Sequence, residues 1–385
     1  MIKLMVDGVF FQINNTGIAR VWKSIIEILA ESGQYEILFL DRGNAPQIKG
    51  VYYIPFPRNL FSQCAADSFL IQEICDYYQI DVFTSTYYTT PVTTPMVLMV
   101  HDMIPELFDF DLTQRAWMEK DIAISYAQRY LSNSYNTRND LLDFYPEIAI
   151  EKVNVAHCGV DESVFYVRDE HEINLFRKRF LLDREYFLFV GSRVQHNNYK
   201  NSQLFFNALI RMPKVEFDVF CVGGEKEIEA EIISLLPDGF RCFLVELTDD
   251  ELALAYGGAL ALVYPSLYEG FGMPVIEAMA SGCPVITTHN GSLVEAAGNA
   301  ACLISGESVV EMCEALEKIQ DEEYRKLLKA KGLVHSHHFR WQGMADALGE
   351  QLELLVQEDK RGIYDHYFTE WKALRSLQAS VDYIR

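Results

Sequence analysis

Two glutamates, Glu269 and Glu277, bracket the run Gly270-Phe271-Gly272-Met273-Pro274. Pro274 suits the first turn of a helix, where its missing N–H is not needed. The two glycines allow a tight backbone and the close approach of a ligand. Bare amides at a helix start favour an anion or electron-rich oxygens. Carboxylates accept hydrogen bonds from hydroxyl groups and repel phosphates. Together these features predict a polyol, such as ribose or a hexose. Either glutamate alone would read as an ordinary loop acid or as a helix-dipole partner worth about 0.3–1 kcal/mol. The glycine-rich run between them, placed after the buried strand "ALVYP", favours the binding reading.

A phosphate on that polyol needs cations. "GSRVQHNNYKN" supplies Arg193 and Lys200 between a strand and the helix "NSQLFFNAL". Arginine can grip two phosphate oxygens at once, and lysine adds a compact point charge; the competing reading is a solvated surface pair. A second anion site is "NNTGIARVW", where a turn precedes Gly17 at a helix start. His101, at the end of the strand "TPMVLMVHD", is a candidate acid–base or hydroxyl-orienting group, and equally a structural histidine.

These residues need strand ends to hold them. Seven β-rich runs fill the first half: "IKLMVDG", "YEILFLD", "VYYIPF", "IDVFTST", "TPMVLMVHD", "RYLSNS" and "VNVAHCG". Six more follow: "YFLFVGSR", "EFDVFCVGG", "CFLVEL", "ALVYPS", "PVITTH" and "ACLIS". Amphipathic helical segments separate them, which is the signature of parallel α/β layers. In such sheets ligands bind beyond the carboxyl ends of strands. Asp7, His101, Arg193 and Glu269 all fall there, so two domains with facing strand ends would make a cleft.

A chain of 385 residues suits two domains, and 50% hydrophobic with 23% charged residues is a globular profile. The net charge of −22 disfavours nucleic acid and attachment to anionic lipid. Eight scattered cysteines without a C-x-x-C pair read as reduced cytosolic thiols. The N-terminus lacks a signal-peptide pattern, because Asp7 interrupts its apolar run. No stretch reaches the roughly 18 apolar residues of a membrane span. The expected compartment is the cytoplasm, with membrane contact at most peripheral, at the inner face.

Taken together, "YPSLYEGFGMPVIEAMASGCPVITT", "GSLVEAAGNAACLI", "GSRVQHNNYKN", "HDMIPELF", "SNSYNTRNDLL" and "CGVDESVF" resemble glycosyltransferase family 4, also called glycosyl transferase group 1. The resemblance spans nearly the whole chain and is loosest between residues 35 and 90. It implies an α/β fold of GT-B architecture: two facing Rossmann-like, doubly wound domains with a cleft between them. Residues 1–170 would form the acceptor-binding domain and 171–362 the nucleotide-sugar-binding domain. Residues 363–385 would form a helix returning to the first domain, through the stripe Tyr364, Tyr367, Phe368, Trp371 and Leu374.

By the same resemblance, Arg193 and Lys200 would hold the donor diphosphate, Glu277 the ribose hydroxyls and Glu269 the transferred sugar. The amides of Gly270, Phe271, Gly272 and Met273 would touch sugar hydroxyls or the distal phosphate. Gly17 would cover the diphosphate, His101 would face the sugar and acceptor, and Glu295 would support the loop. No cofactor and no metal are expected. The sequence departs from the family at "NNTGIAR", which lacks a double glycine, at "GSR", and in the long polar spacer "VQHNNY".

The implied activity is retaining transfer of a hexose from a nucleotide diphosphate sugar to a glycan or lipid-linked glycan, in surface-polysaccharide assembly. "GIAR", "HDMIPELF" and "SLYEGFGMPVIEAM" resemble mannosyltransferases, so GDP-mannose is the first donor and a UDP-sugar the second. A UDP-sugar 2-epimerase of the same architecture and a non-catalytic glycan-binding protein are the alternatives from other classes. Asp109-Phe110-Asp111 imitates a metal-binding Asp-x-Asp but lacks its context, and "HSHHF" at His335 to Phe339 reads as a helix end.

Overall fold

The computed structural model describes every residue except 15, 61–63, 194–198, 238 and 383–385. The middle of the spacer between Arg193 and Lys200, and the centre of the turn before Gly17, therefore lie outside the described residues. The chain divides into two compact units, Met1–Cys158 with Trp341–Arg385, and Gly159–Arg340.

The first unit contains β1 (Ile2–Asp7), β2 (Tyr35–Asp41), β3 (Tyr52–Pro55), β4 (Val82–Ser85), β5 (Val97–Val100), β6 (Arg129–Ser132) and β7 (Val153–Val155). These pair in the orders β3-β2-β1-β4 and β5-β6-β7, and a parallel bridge from Phe83 to Met96 joins the two sets. The second unit contains β8 (Tyr186–Val190), β9 (Asp218–Val222), β10 (Cys242–Val245), β11 (Ala261–Tyr264), β12 (Val285–Thr288) and β13 (Cys302–Ile304). Their order is β10-β9-β8-β11-β12-β13, and every pairing is parallel. Each strand falls inside one of the apolar runs read from the sequence. Strands this apolar need cover on both faces, which helical crossovers supply.

The strand order is what positions a site. From β8 the chain steps one way to β9 and β10, then crosses back to β11, β12 and β13. The order therefore reverses between β8 and β11, and loops leaving such neighbours in opposite directions open a crevice. Gly191-Ser192-Arg193 leave β8 there and Pro265 to Glu269 leave β11. In the first unit the same reversal lies between β1 and β4.

The loop leaving β1 is anchored by a buried ionic network. Asp7, fully buried, takes two hydrogen bonds from Arg42, at 2.7 Å each, and one from the Thr89 hydroxyl at 2.6 Å. Arg42 also reaches Asp67 at 2.7 and 3.0 Å and lies over the Phe56 ring. A Cβ at Gly8 would stand 2.2 Å from the Phe39 ring, so no larger residue fits between that network and β2.

The return to the first unit begins at Trp341, not near residue 363, and the first boundary lies at Cys158, not near residue 170. The helix Trp341–Asp359 buries Met344, Leu348, Leu352 and Leu355 completely, so it is core to the first unit. Arg129 and Lys152 tie it by Glu358, at 2.6 and 3.0 Å. The final helix, Asp365–Asp382, follows it onto the same unit. Tyr364, Tyr367, Phe368 and Trp371 pack there around Tyr126. Leu374 departs from that stripe and is exposed; its neighbour Arg375 is buried instead, 2.8 Å from Glu119. The charge-rich residues 161–185 belong to the second unit, where Asp169 and Glu172 box the start of the helix Glu170–Arg179.

Candidate active site

The loop after β11 turns at Gly272, whose φ of +106° lies in the left-handed region. A Cβ there would also come within 2.9 Å of Leu293, so glycine is needed for conformation and space alike. The helix Met273–Ala280 starts at once, with Pro274 in its first turn. The Ser292 hydroxyl pins the loop by donating to the carbonyls of Glu269 at 2.6 Å and Phe271 at 3.1 Å. Phe271 is buried against Phe339, which fixes the loop from its other side.

Lys200 and Glu269 meet in this crevice. The ammonium donates to both carboxylate oxygens, at 2.7 and 2.9 Å, and to the Tyr264 hydroxyl at 2.8 Å. Their side chains are 20% and 10% exposed, so the pair is shielded yet open at one edge. The loop holding Lys200 is fixed by Asn201, whose amide donates to the carbonyls of Pro265 and Gly306. Leu267 N–H bonds to Tyr199 carbonyl at 2.7 Å, tying the β8 and β11 loops together. Burial, then the nearby Glu269 carboxylate, pushes the Tyr264 phenol well above its ordinary pKa, so it remains a neutral hydroxyl.

Glu277, 4% exposed, lies one turn into the helix, with the Tyr256 hydroxyl 3.4 Å from its carboxylate. Arg193 takes a different position from Lys200. Its guanidinium is turned inward onto the carbonyls of Gly191, Gly223 and Glu225, the first two at 3.2 and 2.6 Å. Arginine here laces the ends of β8 and β9 together. Glu225 completes the lacing by accepting from the Ser192 hydroxyl and the Arg193 N–H. Burial would raise the Glu225 pKa, but those hydrogen bonds outweigh it and hold the carboxyl below its usual range. Glu295 lies in the helix Leu293–Ala297, next to Ser292 that pins the loop.

Gly17 and His101 belong to the first unit. Gly17 opens the 16-residue helix Gly17–Ser32, whose start has no side-chain cap among the described residues. His101 follows β5, 5% exposed, and its Nε2 has no partner among the described residues. Asn133 donates to its carbonyl at 2.7 Å. Buried Lys120 bonds the Asp102 carbonyl at 3.0 Å and Glu106 at 2.6 Å, bracing the loop from below. Burial, reinforced by the Lys120 charge, lowers the His101 pKa to about 3. A ring neutral across the physiological range can orient a hydroxyl but cannot serve as a protonated acid.

This depression has a measurable consequence. Between pH 6.5 and about 3 the unfolded chain binds a proton that folded His101 refuses. Stability is therefore lost as pH falls through that window, by up to about 1.4 kcal/mol per pH unit. Above pH 6.5 the group contributes nothing to the slope. Urea midpoints at pH 7 and pH 5 should converge in His101→Gln relative to wild type, and an unchanged difference would contradict the burial argument.

Sequence reading missed Tyr264, Tyr256, Glu225, Ser292 and Lys120. Tyr264 sits inside the quoted motif, but its strand position marked it as core. Among the described residues, no three His, Cys, Asp or Glu side chains are grouped to hold a metal ion. Asp111 caps its own loop through Thr113, and His335 and His337 bond the Ala296 carbonyl and Glu162. No helix among the described residues is long and apolar enough to cross a membrane.

The fold and the crevice define a GT-B protein. Solved structures of this kind superpose over nearly the whole chain. Sucrose-phosphate synthase from Thermosynechococcus elongatus gives a TM-score of 0.73 at 19% identity, covering 92% of this chain and 99% of its own. WaaG, a glycosyltransferase involved in lipopolysaccharide biosynthesis, gives 0.71 at 16% identity, with the same coverage. Residues 184–322, which contain Arg193, Lys200, Glu269 and Glu277, match the family model "Glycosyl transferases group 1". The match places this segment, which lies within the second unit, in that family. It is 26% identical to the O-antigen chain mannosyltransferase RfbU of Salmonella typhimurium over 245 residues. That alignment covers 61% of this chain and 64% of the relative, so it spans less than two thirds of the relative's length. The serotype-specific mannosyltransferase WbdA of Escherichia coli is 26% identical over 294 residues, 73% of this chain and 36% of WbdA.

Proposed function

We propose that the protein is a retaining glycosyltransferase that moves mannose from GDP-mannose to a glycan or lipid-linked glycan in surface-polysaccharide assembly. The observation that carries this reading is Lys200 and Glu269 at one point of a strand-order reversal, beside the amides of Gly270 to Met273. Cation, carboxylate and open helix start match the three parts of a sugar nucleotide: phosphate, hydroxyls and ring oxygens. The mannose assignment is supported by the names of the RfbU and WbdA relatives.

In this reading Lys200 meets the diphosphate, and Arg193 keeps the β8 loop in shape and lends its charge from behind. Glu277 takes the ribose hydroxyls and Glu269 the transferred sugar. The bond from the anomeric carbon to the phosphate oxygen breaks, and negative charge grows on the departing diphosphate. A cation and amides already in place there stabilise the transition state directly. The acceptor hydroxyl enters on the face the diphosphate leaves, and a phosphate oxygen takes its proton, so retention needs no enzyme–sugar adduct. We assign the first unit, with neutral His101, to the acceptor. Neither a cofactor nor a metal takes part in this scheme.

Side-by-side calorimetric titration with GDP and UDP tests the donor. GDP binding in preference to UDP is the expected result. Preference for UDP would move the donor to a UDP-sugar, and binding of neither would overturn the transferase reading.

A further inference from the structure

An ammonium has three N–H donors. In Lys200 all three are spent, two on Glu269 and one on Tyr264. A phosphate oxygen therefore gains a hydrogen bond from Lys200 only if one of those partners is given up. Tyr264 is 2% exposed, neutral and held at the end of β11, so it is the fixed support of the three. The carboxylate is the partner able to find substitutes. Its backbone is pinned by Ser292, so the exchange falls to the Glu269 and Lys200 side chains.

We propose that Glu269 and Lys200 form an exchange latch: the donor's sugar takes the carboxylate as its phosphate takes the ammonium, and loss of the sugar closes the pair again and expels the nucleoside diphosphate. This rests on the nucleotide-sugar reading above and gives Glu269 a second part in it, as the group that discriminates against the sugar-free product. With a complete donor, hydroxyl groups replace the N–H bonds that Glu269 loses. With a bare nucleoside diphosphate nothing replaces them, and a largely buried carboxylate is left facing an anion. Burial makes that juxtaposition costly, because the pair is screened far less than one in open water. Tyr264 is the positioning residue of the latch, holding the ammonium at the height where either anion can take it.

The latch inverts the usual expectation for a substrate-binding carboxylate. Removing its charge weakens the complete donor but tightens the product. Glu269→Gln keeps the side-chain shape and is expected to bind GDP about tenfold more tightly than wild type, the ratio that corresponds to about 1.4 kcal/mol. Tyr264→Phe frees one N–H, also removes the phenol's own hydrogen bond to Glu269, and shifts GDP affinity the same way by a smaller factor. In a Lys200→Met background, Glu269→Gln is expected to change GDP affinity by less than about twofold, because the coupling partner is gone.

Calorimetric titration of GDP and UDP into wild type, both single variants and the Lys200→Met/Glu269→Gln pair reads all of this, with thermal transitions confirming that each folds. Unchanged or weaker nucleotide binding in Glu269→Gln would overturn the latch while leaving the nucleotide site intact. An equal gain in the Lys200→Met background would also overturn it, by showing simple repulsion between carboxylate and phosphate. If neither nucleotide binds any form, the transferase reading fails first, and the latch with it.

Discussion

Replacing Lys200 by methionine is expected to lower sugar transfer by about 10²–10³-fold while leaving the second unit folded. The ammonium is the cation in the crevice whose present partners are a carboxylate and a hydroxyl, both exchangeable for substrate groups. Arg193, by contrast, is committed to three backbone carbonyls. Charge appearing on a departing diphosphate needs a preorganised positive group, and losing one such contact costs on the order of 2.7–4 kcal/mol. The ammonium lies 5.1 and 5.3 Å from the Tyr264 and Tyr199 ring centroids, and methionine keeps most of the aliphatic length that carries it. The change therefore removes charge more than packing. Initial rates at saturating donor, with calorimetric donor affinity beside them, separate lost transition-state stabilisation from lost binding. A loss of less than about fivefold in both would place the diphosphate elsewhere.

The second large effect is on stability and lies far from the chemistry in sequence. Arg42→Met should destabilise the first unit by about 3–5 kcal/mol, the usual consequence of stripping the partner from a buried charge. Among the described residues the Asp7 carboxylate would keep only the Thr89 hydroxyl, at 2.6 Å, in a fully buried position. Asp7→Asn should cost less, because Arg42 retains Asp67 and the Pro57 carbonyl. Urea unfolding followed by tryptophan fluorescence reports on this unit through Trp22, Trp117, Trp341 and Trp371, all of which belong to it. A shift below about 1 kcal/mol for Arg42→Met would mean that water reaches Asp7 in solution.

The sheets were legible because parallel strands buried on both faces write themselves as short apolar runs such as "YFLFV" and "ALVY". Gly272 was legible too, since Gly-Met-Pro allows few backbone courses other than a turn into a helix. The unit boundary was less so. Trp341–Asp359 has the same amphipathic pattern as any surface helix, and nothing in that pattern says which sheet it covers. Leu374 shows the limit of a stripe: Phe368 and Trp371 find Tyr126, but the next turn is governed by the Arg375–Glu119 pair, which turns Leu374 outward.

Within the crevice, residue type suggested ligand chemistry but not present partners. Lys200 and Glu269 lie 69 positions apart, and their direct pairing depends on β8 and β11 being neighbours, a fact of strand order. Arg193 turns inward for the same reason, since two of the three carbonyls it laces, those of Gly223 and Glu225, follow the neighbouring strand β9. Tyr264 reads in sequence as one more aromatic in a buried strand. Only its hydroxyl, emerging at the strand's end beside Lys200, gives it a part in the site.

A crevice proposed to break the bond between a sugar and a nucleoside diphosphate must release free nucleotide. The most direct measurement is release of free nucleotide from GDP-mannose, UDP-glucose, UDP-galactose and UDP-N-acetylglucosamine, in wild type and Lys200→Met, with and without a glycan acceptor. Release from GDP-mannose in preference to the others, stimulated by acceptor and lost in the variant, is the expected result. Release that is equal in wild type and variant, or absent from all four donors although acceptor is present, would contradict it.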